Sequence, residues 1–163
     1  MYNWNGIWKV QHIRNGEVIW EDTGKNSLVQ QGEEALLEVF FRNDTDYAPT
    51  QFYVRLCNST PSIISTLSTI VGEVTTGDYA PKLLERSSIG FPIKDTTSGG
   101  NYRLTSKVIT FTAAGASIGP VTNAYLATTS DNSGKLIAFR SLSMARTIID
   151  GDSMTIQIQI DLG

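Results

Sequence analysis

Histidine and cysteine are almost missing from this chain of 163 residues, which has one of each, His12 and Cys57. Zinc sites draw on three or four nitrogen or sulfur ligands, so that donor set is absent. No intramolecular disulfide can form, which is compatible with assembly in a reducing cytosol. Charge is also scarce: Asp, Glu, Lys and Arg make up 18% of the residues, against about 25% in an average domain. Thirteen basic residues face sixteen acidic ones, a net charge of -3, so no basic surface is expected for nucleic acid. No apolar run reaches the ~18 residues of a membrane span. The start, Met1-Tyr2-Asn3-Trp4-Asn5, has no basic stretch leading into an apolar one, so no secretion signal is expected. No phosphate-binding loop is present, and no cofactor or metal is expected.

What is abundant is Ser and Thr, about a fifth of the chain, beside 40% hydrophobic residues. That apolar fraction is too high for disorder. Thr, Val, Ile and Gly in place of Lys and Glu favour strands over helices. The length suits one domain, which near this size buries roughly two thirds of its unfolded surface.

Arg14-Asn15-Gly16-Glu17 is the first clear signal, since Asn-Gly tolerates the positive φ angles of a type I′ hairpin. It joins strands 7–14 and 17–21. One helix is expected after Ser27-Leu28-Val29-Gln30, which has the form of a capping box. Leu28, Gly32, Ala35, Leu36, Val39 and Phe40 share its apolar face, widened by Leu37 and Phe41, and Asn43 ends it. Gly32 costs roughly 1 kcal/mol against Ala in such a helix. Strands are expected over 52–57, 107–112, 121–128 and 136–141, with an edge or starting strand at 79–85 because of Pro81. Residues 96–100 and 113–120 read as loops, and 63–71 as a short helical turn or an irregular segment. Residues 154–162 alternate throughout, with Met154, Ile156, Ile158, Ile160 and Leu162 facing inward.

Few residues suggest chemistry. Asp131-Asn132-Ser133-Gly134 and Asp150-Gly151-Asp152 cluster oxygen atoms, but these are turn residues and lack the longer ligand pattern of a calcium loop. Glu33 and Glu34 point about 100° apart on a helix, which suits dipole compensation better than acid–base work. His12 alone would have to supply any Ser-His-Asp site, and it sits on a hairpin strand, where partial exposure is the ordinary outcome. Cys57 closes an apolar strand as a small core residue. Tyr2, Trp4, Trp8 and Trp20 suit a carbohydrate platform, a protein-docking arm, or burial in the chain's own core.

The order of motifs resembles a family of small tailed-bacteriophage virion proteins, loosely tail-fibre-like and including capsid decoration, or cement, proteins. The matching features are a helix ending Phe40-Phe41-Arg42-Asn43, then Pro49 and Phe52-Tyr53-Val54-Arg55-Leu56. Glu73-Val74 and Gly77-Asp78-Tyr79-Ala80 follow, then Val108-Ile109-Thr110-Phe111, Gly119-Pro120-Val121-Thr122 and Ser133-Gly134. Arg146-Thr147-Ile148, Gly151-Asp152 and the final strand complete the order. The first 25 residues depart from shorter members of the family.

The residues lead to a mainly β expectation: an antiparallel β-sandwich, jelly-roll-like, with one packed α-helix. Residues 1–25 are expected to form an N-terminal hairpin or arm, and 26–163 a single sandwich domain. The resemblance implies no enzyme but a structural protein of the virion, assembled in the host bacterial cytoplasm. It implies a capsid decoration protein on the outer head surface, a homotrimer bound to the major capsid protein. The alternative is a tail-tip, fibre or adaptor protein in host attachment. Tyr2, Trp4 and Trp8 are the expected partner-binding aromatics.

Overall fold

A computed structural model describes residues 4–45 and 47–162. β1 (Trp4–Arg14) and β2 (Glu17–Lys25) form the expected hairpin. Asn15 and Gly16 take φ of 52° and 81° there, the left-handed values its turn requires. After them come β3 (Ser27–Leu28), α1 (Gln30–Phe41), β4 (Gln51–Cys57), a 3₁₀ turn (Leu67–Thr69), β5 (Lys82–Glu85), β6 (Ile93–Thr96) and β7 (Tyr102–Thr105). β8 (Ile109–Thr112), β9 (Ile118–Ala127), β10 (Leu136–Ile148) and β11 (Ser153–Leu162) complete the order.

Two antiparallel sheets result, as a β-sandwich requires. The first runs β2-β1-β11-β7-β6, with β8 also paired to β11; the second runs β3-β10-β9-β4-β5. Trp8, Val10, Ile156 and Ile158 from the first sheet meet Val54, Leu56, Leu126 and Ile137 from the second in the main core. A second cluster, including Val29, Leu67, Tyr125 and Leu136, covers the other face of the second sheet. β9 is therefore buried on both sides, and its run Ala124-Tyr125-Leu126-Ala127 shows no polar alternation.

Several boundaries differ from the sequence expectation, each for a physical reason. Ser27 and Leu28 belong to β3, which pairs with Phe139 and Ala138 of β10, so the capping box does not form. Val29 is the N-cap and gives no side-chain cap. Asn43 does take the left-handed conformation just past the helix, with φ of 53°. β9 starts earlier than expected, through a cis Gly119–Pro120 bond inside the presumed loop. The 96–100 loop is the tip of a hairpin whose four-residue arms, β6 and β7, are too short to register as periodic. β5 pairs only with β4 and is an edge strand, as Pro81 suggested.

The N-terminal hairpin is woven into the first sheet. β1 pairs with β11 from Trp4↔Leu162 to Ile13↔Ser153, between β2 on one side and β11 on the other. In β11, Met154, Ile156 and Ile158 are buried as expected, and Ile160 is only partly so. No described helix is long and apolar enough to cross a membrane.

Candidate interaction surface

Of the three aromatics expected to bind a partner, Tyr2 lies outside the described residues. Trp4 opens β1 opposite Leu162, and its side chain also lies outside the described set. Trp8 must be corrected: its side chain is 0% exposed and packs in the main core. β1 is a central strand, and its inward positions are covered by the second sheet. A buried indole offers no surface to another protein.

His12 is likewise buried, at 1% exposure, where partial exposure was expected. Asp152 Oδ2 lies 2.7 Å from its Nε2, and the Arg146 Nη2 group lies 3.0 Å from its Nδ1. A guanidinium can only donate, so Nδ1 accepts and Nε2 carries the proton given to Asp152. Arg14 also donates to Asp152, through Nη2 at 2.8 Å. That guanidinium, with His12 beside it, holds the Asp152 carboxyl below its ordinary pKa. Arg146 in turn sits over the Trp20 ring, 5.2 Å from its centroid. Both ring nitrogens are thus committed. Among the described residues no hydroxyl bonds to His12, so the constellation ties β1, β2 and β10 to the turn that leads into β11 and offers no hydroxyl nucleophile.

Arg55 anchors a second buried network. It is 2% exposed and donates to Glu73 Oε1 at 2.8 Å, to Glu73 Oε2, to the Asp131 carbonyl at 2.6 Å and to Asn132 Oδ1 at 2.9 Å. The Tyr79 hydroxyl donates to Glu73 Oε1 and accepts from the Leu56 amide, both at 2.9 Å. Burial pushes the Tyr79 and Tyr125 hydroxyls far above their usual pKa. Asp131 accepts from the Ser133 amide and hydroxyl, the turn role read from its sequence. Asp150 accepts from the Gly115 amide. Cys57 is fully buried, as its place at the end of an apolar strand suggested.

The feature that the buried networks do not account for is α1. The residues it buries are the small ones, Gly32 and Ala35, set against the second sheet. A Cβ at Gly32 would meet the Ile137 carbonyl oxygen at 2.3 Å, so only glycine permits this close approach to β10. The large side chains are left outside: Leu36 is 42% exposed, Leu37 57%, Phe41 75% and Phe40 82%. Phe40 and Phe41 pack edge to face, with centroids 5.0 Å apart.

These four side chains wall an open groove of about 640 Å³ whose other wall is Tyr102, Leu104 and Ile160. Tyr102 and Leu104 stand on the same side of β7, and Leu104 lies opposite Ile160 in register. Ile160 packs on the main core, so the groove continues the inner face of the first sheet past the end of the sandwich. The charged lining residues are Lys94 and Asp161, and the Lys94 ammonium sits 5.1 Å above the Tyr102 ring. Sequence reasoning assigned this helical face to the core. The signal it underused was the doublets Leu36-Leu37 and Phe40-Phe41. Neighbouring helix positions diverge by about 100°, so both members of a doublet cannot face one sheet.

Residues 27–160 match the family model described as Podophage GP4 fiber I protein gp80. The matched span begins just after the β1–β2 hairpin and contains all of α1 and most of the groove. No curated protein matches the chain.

Proposed function

Because the chain belongs to the podophage GP4 fiber I protein gp80 family, a family of phage structural proteins, we propose that it serves as an adhesive subunit on the outside of the virion. It works without catalysis, as a fibre or adaptor component through which the particle meets other virion proteins or the host. The observation that carries this reading is the large exposed apolar face of α1 and β7 on a chain whose two buried networks, around His12 and Arg55, tie strands to one another and to their loops. The net charge of -3 supports a position away from packaged DNA, whose phosphates would repel it.

Capsid decoration is the second reading: a homotrimer clamping the major capsid protein on the head exterior. The absence of shaft-like repeats from these 163 residues favours it. Icosahedral symmetry would demand about hundreds of copies per particle, and a tail apparatus a few to tens. Quantitative staining of purified virions, with an electron-microscopy map of the particle, separates the two. Tens of copies at the tail support the fibre reading, and hundreds on the head support decoration. Absence from the mature particle overturns both.

A further inference from the structure

We infer that the apolar face shared by α1 and β7 docks a second copy of this chain, so that the protein is a symmetric oligomer closed through this surface. The inference extends the reading of the protein as an assembled virion part, and it names the surface and its occupant.

Area is the first argument. Leu36, Leu37, Phe40, Phe41, Tyr102 and Leu104 are each 40–82% exposed, and together they present on the order of 700–800 Å². That total counts every direction the six side chains face, and it is the most they can contribute toward the share of about 800 Å² that one partner brings to a standard-size interface. Composition is the second. Interfaces between independently stable partners are no more apolar than ordinary surface, whereas homo-oligomer interfaces are richer in apolar and aromatic groups and poorer in charge. This groove has three exposed aromatics and two charged lining residues. Continuity is the third. Leu104 faces Ile160 across β7 and β11, and Ile160 already packs on the core. The face is therefore the domain's own core running out through the open end of the sandwich, and obligate interfaces resemble a core cut in half.

Sedimentation velocity and light scattering on the purified full chain, from low micromolar to near-millimolar concentration, test this. The expected mass is a whole multiple of 17.9 kDa. The double variant Phe40→Glu/Phe41→Glu should weaken association about 100-fold or more, because exposed aromatic anchors carry most of an interface's energy. Its circular dichroism should match the wild type. Tyr102→Glu, on the sheet wall and independent of helix stability, should have the same effect. Ile64→Glu, at an exposed apolar residue outside the groove, should leave the mass unchanged. A wild-type monomer across the whole range overturns the inference, and so does an oligomer that survives both folded groove variants. So does an oligomer lost only when residues 1–3 are removed. Copy number in the virion does not enter this result, so the functional reading and the oligomer fail separately.

Discussion

Replacing Arg55 with alanine tests whether the buried guanidinium holds the second sheet to its loops. The wild-type side chain gives one carboxylate a two-pronged contact, gives the Asp131 carbonyl and Asn132 one hydrogen bond each, and stacks 5.3 Å from the Tyr125 ring centroid. Breaking a buried charge pair by removing one partner costs about 3–5 kcal/mol. Glu73 decides where in that range the value falls. Its side chain is 23% exposed and keeps the Tyr79 hydroxyl, so water and one donor partly replace the lost cation. The expected cost is thus about 3 kcal/mol, a fall of roughly 6–12 °C in Tm for a domain of this size. Differential scanning calorimetry and urea titration at fixed protein concentration measure it, the concentration being held because association adds to apparent stability. The urea midpoint should fall with its slope unchanged. Arg14→Ala is the comparison, since that guanidinium is 42% exposed, and its loss should cost less than that of Arg55. A double cycle of Arg55→Ala with Glu73→Gln should show coupling of at least about 1 kcal/mol. An Arg55→Ala midpoint within about 2 °C of wild type, or equal to that of Arg14→Ala, refutes the reasoning.

Trp8→Ala should destabilise the fold by about 3–5 kcal/mol, measured by urea unfolding; near-neutral behaviour would return Trp8 to the surface role that its burial denies it. Asp152→Asn carries a pH signature. A carboxyl whose folded-state pKa lies below its unfolded value of 3.8 contributes stability in full above that value and loses it as pH falls through the folded one. The variant should therefore be less stable than wild type at neutral pH, and the gap should close as urea midpoints are taken below about pH 4. A gap that is constant with pH would show that the Arg14 and His12 contacts are not its source. Gly32→Ala gains about 1 kcal/mol of helix propensity, yet its Cβ meets a backbone oxygen at 2.3 Å that cannot rotate away. Overpacking of about 1–3 kcal/mol should win, and a raised Tm would show instead that α1 can lift off β10.

Local chemistry made much of the fold legible. The Asn15-Gly16 turn, the alternation of Met154 to Ile158, the position of Pro81 and the left-handed Asn43 are each decided within a few residues, because φ preference and side-chain period are properties of the chain itself. Ser27 shows where such reasoning stops. Its capping pattern is intact in sequence, yet β10 offers its backbone a strand partner instead. The two short arms of the β6–β7 hairpin carried too few residues for a period to appear.

For the candidate site, sequence determined that α1 would carry a broad apolar face, and it determined that His12 would be the one imidazole available. Only the tertiary structure decided which side of α1 is buried. Helix–sheet approach is set by the closest backbone contact, here Gly32 against the Ile137 carbonyl, and that contact turns the large residues outward. It likewise decided that both nitrogens of His12 meet charged partners on Asp152 and Arg146, residues more than 130 positions away along the chain. Burial and pairing between distant residues depend on which strands become neighbours, and strand order is a property of the assembled sheets that no local window of residues contains.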